Sequence, residues 1–121
     1  MKLEGNRALV TVAAGGMGRA IVDKLRQQGA RVCVADRDTS GLEATAHRPG
    51  DLCDPAYANE LPQAAFAALG GLDLLINNAA IMRRGPVTAS TDEDFNLSFA
   101  VNVRAPFQIC RAAPPVRTQP R

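Results

Sequence analysis

The chain has 121 residues, a formal net charge of +2 and a hydrophobic content of 46%, which suits one small domain with one core. It has no apolar run of about 18 residues and no long apolar leader, so we expect neither a membrane span nor a secretory signal. The small charge argues against a nucleic-acid partner. Three widely spaced cysteines and one histidine, His47, form no metal-ligand pattern, so we expect no metal site and a reducing, cytoplasmic location.

The first third of the chain predicts a strand, a helix and a second strand. Residues 7–12, RALVTV, form an apolar run typical of a short buried strand. Residues 16–28 place their apolar side chains on one stripe and are followed by Gly29, which predicts a helix with a glycine stop. Residues 30–35, ARVCVA, predict the second strand.

The middle of the chain continues the alternation. A weak helix is expected over residues 39–46, and a third short strand should end near residues 51–52. Residues 54–69 begin with Asp-Pro and are followed by two glycines, which predicts a helix with an aspartate N-cap and a proline in its first position. Residues 72–76, LDLLI, predict a fourth strand that is apolar on both faces.

A long helix is predicted in the last part of the chain. Ser90 and Glu93 have the spacing of a capping box, so we expect the helix to start there and to run towards Ala112. Pro106 lies within it and is expected to kink it. Residues 113–121, APPVRTQPR, are basic and rich in proline, which favours a disordered tail. The ordered domain should therefore occupy residues 1–112.

Alternating strands and helices predict the α/β class, with βαβ units, a parallel sheet and right-handed crossovers. The strands are apolar without interruption, so helices should cover both faces of the sheet.

The loop after the first strand, TVAAGGMG at residues 11–18, has the arrangement of a phosphate-binding turn. A helix N-terminus offers free N–H groups to a diphosphate, and Gly16 and Gly18 leave the backbone open. Asp36 follows the second strand and can accept hydrogen bonds from both hydroxyls of an adenosine ribose, while repelling a 2′-phosphate. We therefore expect NAD in preference to NADP, a preference that Arg37 would soften because it is placed to reach a phosphate.

Four motifs give the chain a specific resemblance. It resembles the N-terminal half of a short-chain dehydrogenase/reductase, a family with a TGxxxGxG loop, an acidic residue before the adenine pocket, an NNAG run and an asparagine in the following long helix. The matches here are residues 11–18, Asp51 with Leu52, residues 77–80 (NNAA) and Asn102. They occur in the family's order and cover about residues 5–112.

The resemblance implies a Rossmann-like, doubly wound parallel sheet, here incomplete, with about four strands in the order 3-2-1-4. In full-length members it implies hydride transfer between NAD and an alcohol or ketone. Asn102 is the one catalytic residue that it implies in this chain, as part of a proton relay. The cofactor-binding residues that the resemblance and the loop analysis indicate are Thr11, Gly16, Met17, Gly18, Asp36, Arg37, Asp51, Leu52, Asn78, Ala79 and Ala80.

Simpler interpretations of the same residues stay open. Asp36 could be an ordinary solvated residue at the start of a turn. Asn77 and Asn78 could satisfy the backbone at a strand end, and Asn102 could be a buried polar residue bonded to the neighbouring main chain.

The chain departs from the family pattern in three ways. Val12 replaces the first glycine of the loop, which would weaken nucleotide binding because a β-branched residue suits positive φ badly and adds bulk. Ala80 replaces the last glycine of NNAG and adds one methyl group. The family's serine and YxxxK pair have no counterpart, since the single tyrosine, Tyr57, is followed four residues later by Leu61.

We therefore predict a shortened family member that is catalytically inactive by itself, whether through truncation, a frameshift or fragmentation. The alternatives are a non-catalytic nucleotide-binding or interaction module and a gene remnant without function. An exposed edge at the fourth strand, or the apolar face of the long helix, would favour a homo-oligomer.

Overall fold

The computed structural model describes residues 2–11 and 15–115. Val12 and residues 116–121 lie outside the described residues, so the expectations for the loop valine and for most of the tail remain predictions. The regular elements, in chain order, are β1 (Arg7–Thr11), α1 (Gly16–Gln27), β2 (Arg31–Ala35), β3 (Ala46–His47), α2 (Pro55–Leu69), β4 (Leu74–Ile76), a 3-10 turn (Val87–Ala89), α3 (Asp92–Phe99), a π turn (Ala100–Arg104) and α4 (Ala105–Ala112).

The four strands form one parallel sheet in the order β3-β2-β1-β4, which confirms the predicted fold class. The central strand β1 alternates between two apolar clusters. Val10 packs with Val22 of α1 on one face, and Leu9 packs with Leu61 of α2 and Ile109 of α4 on the other. Each of these side chains is at least 98% buried, and such burial contributes about 1.5–3 kcal/mol per side chain. Helices therefore cover both faces, as the apolar strands predicted.

Helix α2 forms where its local signals place it. The Asp54 carboxylate accepts from the backbone N–H of Ala56 at 3.0 Å, and Pro55 occupies the first turn. At the other end Gly70 adopts a left-handed φ of 78°, a conformation that glycine adopts without steric penalty. The structure confirms the predicted bounds of this helix. They could be predicted because the residues that cap both ends lie next to the helix in the sequence.

The predicted weak helix over residues 39–46 does not form, and the third strand is not at residues 51–52. The chain makes a turn at Thr39–Leu42 and then pairs with β2 as β3, with Thr45 and Arg48 donating backbone hydrogen bonds to β2. Sheet pairing takes the backbone groups that a helix would need. Gly41 also disfavours a helix by about 1 kcal/mol relative to alanine.

The capping box of α3 is one residue later than predicted. The Thr91 hydroxyl accepts from the N–H of Asp94 at 3.0 Å, and the Asp94 carboxylate accepts from the N–H of Thr91 at 3.3 Å. Ser90 instead ends the preceding 3-10 turn, where its N–H bonds to the carbonyl of Val87. The hydroxyl that caps the helix is set by where the previous turn ends.

The long helix runs to Ala112 as predicted, but it widens into a π turn at Ala100–Arg104. Pro106 is the second residue of α4. A prolyl ring crowds the carbonyl four residues earlier, and a wider turn relieves that contact. The expected kink is therefore a local widening immediately before the proline.

Two absences hold for the described part of the chain. None of its helices has the length and apolar character needed to cross a bilayer. Within the same ranges, no three His, Cys, Asp or Glu side chains converge as metal ligands.

Candidate functional site

The predicted site residues lie at one edge of the sheet. β1, β2 and β4 are parallel, with Thr11 paired to Ala35 and Val10 paired to Ile76, so their carboxyl ends meet. Ligands of open α/β sheets bind outside this edge. Asp36 and Asn77 are the first residues beyond their strands.

Thr11 joins two of these strand ends. Its fully buried hydroxyl oxygen accepts from the backbone N–H groups of Asn78, at 3.1 Å, and Ala79, at 3.2 Å. The threonine therefore holds the segment after β4 against the end of β1. In this chain it acts on the backbone of the NNAA segment.

The first residues at the N-terminus of α1 are exposed. Gly15 is its N-cap, and residues 15–17 are exposed. Among the described residues, a Cβ atom added at Gly15 or Gly16 would meet no atom within 4 Å. Gly18, by contrast, is buried. The first turn of a helix carries backbone N–H groups without helical partners and a partial positive charge, and here part of that turn is exposed.

A second group of contacts links the ends of β2 and β3. The N–H of Gly50 donates to the carbonyl of Asp36 at 3.0 Å, which brings Asp51 beside this strand end. The Asp36 carboxylate accepts from the N–H of Arg37 at 2.7 Å. The Arg37 guanidinium donates to Asp51 at 3.1 Å, and the other oxygen of Asp51 accepts from the N–H of Cys53 at 2.9 Å.

These contacts set the charge state of Asp51. The Cys53 N–H and, to a lesser degree, the nearby Arg37 guanidinium lower the pKa of its carboxyl. Asp51 is therefore ionised at neutral pH and can accept further hydrogen bonds.

A cleft of about 260 Å³ lies beside the contacts that join Asp36, Arg37 and Asp51. The predicted site residues that line it are Asp36, Arg37, Asp51, Leu52 and Ala80. Another depression, of about 330 Å³, lies beside α2 at Arg48, Tyr57 and Glu60 and contains none of the predicted site residues. The cleft is therefore the better candidate site despite its smaller volume.

Sequence reasoning missed several residues that line this cleft. Arg83 lies at its wall, with its guanidinium 3.9 Å from the carboxylate of Asp94. Leu97 and Val101, four residues apart on the long helix, contribute apolar surface. Their helical spacing was a signal for a shared face, but the sequence did not indicate what that face would contact.

Asn102 is exposed, but both ends of its side-chain amide are bonded to the main chain. Its Oδ1 accepts from the N–H of Ile81, and its Nδ2 donates to the carbonyl of Ile81, both at 2.8 Å. Ile81 follows the NNAA segment and lines the cleft. The asparagine therefore ties the long helix to the segment after β4.

The sequence profile of the short chain dehydrogenase family matches residues 6–119. The chain belongs to this family. It is 38% identical over 112 residues to L-xylulose reductase from Bos taurus. The matched region covers 90% of this chain and 46% of that relative. The chain is 32% identical over 122 residues to D-threitol dehydrogenase from Mycolicibacterium smegmatis, covering 92% of the chain and 47% of that relative.

Solved structures of similar proteins agree with the fold. A short chain dehydrogenase from Burkholderia cenocepacia, solved in complex with NADP, superposes with a TM-score of 0.85 at 32% identity, covering 93% of this chain and 51% of that one. A blue fluorescent protein from a metagenomic library, solved in complex with NADPH, also has a TM-score of 0.85 at 32% identity. The match covers 99% of this chain and 53% of that one. The chain spans about half the length of the relatives that it matches.

The one tyrosine of this family member is used in packing. The Tyr57 hydroxyl donates to the carbonyl of Arg48, and burial raises its pKa to about 12. Leu61 lies four residues after it in the sequence, on the same helix. Tyr57 therefore stays protonated at neutral pH and has no lysine partner at that spacing.

Proposed function

We propose that this chain is the dinucleotide-binding half of a short-chain dehydrogenase, with the adenosine end of the cofactor in the cleft. The observation that carries the proposal is the placement of two carboxylates. The bond from Gly50 N–H to the Asp36 carbonyl brings Asp36 and Asp51 to one cleft wall. The exposed N-terminus of α1 follows β1 at the same sheet edge.

Each part of the cofactor then has a binding group. The N–H groups of the α1 first turn, at Gly16, Met17 and Gly18, hold the pyrophosphate. Asp36 accepts from the ribose hydroxyls, while Asp51 and Leu52 contact the adenine.

The nicotinamide end of the cofactor lies along the segment after β4. Asn78, Ala79 and Ala80 pass under its ribose, on a backbone that Thr11 holds from below. Ala80 is exposed and lines the cleft, and Ala79 is buried.

We propose NAD as the preferred cofactor because the Asp36 carboxylate repels a 2′-phosphate. Two solved relatives were captured with NADP and NADPH, so the preference rests on this chain's own residues. Arg37, which could bind that phosphate, donates instead to Asp51. Val12, which replaces the first glycine of the loop in the sequence, would weaken binding of either cofactor.

Hydride transfer between the nicotinamide and an alcohol or ketone is the proposed reaction of full-length relatives of this chain. The names of two relatives suggest sugars or polyols as their substrates. We propose that the 121-residue chain by itself does not carry out the reaction. General acid–base catalysis requires a proton donor of suitable pKa. Tyr57 has no lysine at the required spacing, and the amide of Asn102 is held by Ile81.

Thermal unfolding in the presence of NAD tests the binding proposal. Ligand at about 100 times its dissociation constant adds roughly 2.7 kcal/mol of stability, so NAD should raise the melting temperature. Asp36→Ala should reduce this rise. Asp23→Ala, a change at an exposed helix residue outside the cleft, should leave it intact. No response to NAD in the parent chain or in Val12→Gly would contradict the proposal.

A panel of alcohols, polyols and ketones tests the catalytic proposal. NADH formation or consumption should stay at the background rate for every substrate. Turnover that is proportional to protein concentration and lost in Asn102→Ala would contradict the proposed inactivity.

An interaction module is the second candidate, favoured by one surface. The aromatic and aliphatic side chains on one side of the long helix are 50–68% exposed: Phe95, Phe99, Val103 and Phe107. Exposed apolar patches of this kind mark interaction sites. A second copy of the chain packed on this stripe, or paired with the β4 edge, would form a homo-oligomer in the cytoplasm. Light scattering should then show a dimer that dissociates in Phe99→Glu; a monodisperse monomer would contradict this candidate.

A further inference from the structure

Both arginines that line the cleft in the described ranges are already engaged by carboxylates. Arg37 donates to Asp51 at 3.1 Å, and Arg83 lies 3.9 Å from Asp94. A 2′-phosphate entering this cleft would therefore have to compete for a guanidinium.

We propose that Asp51 is a specificity-determining residue, which favours NAD over NADP by holding the Arg37 guanidinium away from the 2′-position. This inference rests on the proposed function, because it places the adenosine ribose at Asp36. It adds a role for Asp51 that acts through a neighbouring side chain, beyond its contact with the adenine.

The geometry around Arg37 supports this role. The backbone N–H of Arg37 donates to the Asp36 carboxylate at 2.7 Å, so the arginine begins beside the group that would bind the ribose. Its side chain then turns across the strand ends to Asp51. Asp51 is fixed in turn by the N–H of Cys53 at 2.9 Å. The acceptor is thus held in place, and the flexible arginine comes to it.

The two side chains remain partly in solvent, with 74% of Arg37 and 46% of Asp51 exposed. An exposed ion pair is worth about two- to fivefold in an equilibrium constant. The Arg37–Asp51 ion pair is therefore weak enough for a bound phosphate to break it. It should still change the ratio of the NAD and NADP affinities by a measurable amount. Screening by salt should reduce the effect.

The test uses two fragments that differ only at the 2′-position. Dissociation constants of 5′-AMP and adenosine 2′,5′-bisphosphate are measured by calorimetry, at low salt, with the 121-residue chain. The variants are Asp51→Asn, Arg37→Gln and the double variant. Asp38→Asn serves as the matched control, because it removes an exposed carboxylate in the same region that caps Ser40 rather than Arg37.

Asp51→Asn should improve binding of the bisphosphate relative to AMP by about two- to fivefold. Any change in the adenine contact affects both ligands equally and cancels in this ratio. Asp38→Asn should change the ratio by less than this. In the Arg37→Gln background, Asp51→Asn should change the ratio by much less than in the parent chain, since the released group is gone.

Three results would overturn the inference. The first is an unchanged ratio in Asp51→Asn with AMP still bound. The second is an equal change in the Arg37→Gln background, which would assign the effect to direct repulsion by Asp51. The third is weaker binding of the bisphosphate relative to AMP in Asp51→Asn, which would mean that Asp51 orients Arg37 towards the 2′-phosphate. Failure of the parent chain to bind AMP at all would overturn the proposed function itself.

Discussion

The side-chain amide of Asn102 is bonded at both ends to the main chain of Ile81, with two hydrogen bonds of 2.8 Å. Asn102 donates in one bond and accepts in the other, so its amide is held in a single orientation. This pair connects the π turn of the long helix to the segment that follows β4. The cleft wall at Ile81 therefore depends on a residue 21 positions away in the chain.

The first prediction concerns this pair. Asn102→Ala removes both bonds and should lower the free energy of unfolding by about 1–2 kcal/mol, since each net hydrogen bond contributes about 0.5–1.5 kcal/mol. Asn102→Asp should destabilise at least as much, because a carboxylate would face the Ile81 carbonyl. Urea denaturation measures both effects. Asn96→Ala, at an exposed position of α3, is the control, and an equal loss there would refute the assignment.

The second prediction concerns the hydroxyl of Thr11. Thr11→Val keeps the shape but removes the acceptor for the N–H groups of Asn78 and Ala79. In this variant the N–H of Asn78 keeps its other acceptor, the Ile76 carbonyl at 3.1 Å. The buried N–H of Ala79 loses the Thr11 hydroxyl and is left unsatisfied. The expected loss is about 1–3 kcal/mol in chemical denaturation. Thr11→Ser should retain more stability than Thr11→Val, and the reverse order would contradict the role of the hydroxyl.

The third prediction concerns the pH dependence of Asp51. Hydrogen bonding by the Cys53 N–H, with help from Arg37, depresses its folded-state pKa below the ordinary value of 3.8. Its contribution to stability is therefore fully present above pH 3.8 and is lost as the pH falls through the folded pKa. The stability difference between the parent chain and Asp51→Asn should be small and constant near neutral pH, because the pair is exposed, and should vanish in acid. Melting temperatures from pH 7 downwards check this, and a difference that grows on acidification would contradict it.

The fourth prediction concerns Gly50, whose N–H bonds to Asp36. A Cβ atom at Gly50 would overlap the ring of Tyr57, so Gly50→Ala should destabilise the chain and displace Asp51 from the cleft. The ring causes the overlap, so Tyr57→Ala should suppress part of the effect of Gly50→Ala in a double-mutant cycle. Gly70→Ala is destabilising for another reason, its left-handed backbone, and should show no such coupling to Tyr57. Additive effects of Gly50→Ala and Tyr57→Ala would refute the steric explanation.

Local sequence determined those elements whose signals lie within them. The aspartate and proline before α2 and the glycine after it define that helix without reference to the rest of the chain. The family motifs likewise implied the strand order, which the structure confirms. The position of β3 was different, because Ala46–His47 becomes a strand only when β2 lies beside it to accept the hydrogen bonds of the flanking Thr45 and Arg48.

By itself, then, the sequence determined the α/β class, the sheet order through its family motifs, and which residues meet at the carboxyl edge of the sheet. Only the tertiary structure decided how those residues are used: that Arg37 is held by Asp51, and that the amide of Asn102 is held by Ile81. Both are contacts between side chains and groups 14 and 21 residues away. Such contacts follow from how the strand ends and the long helix pack together, and no local pattern of residues encodes them.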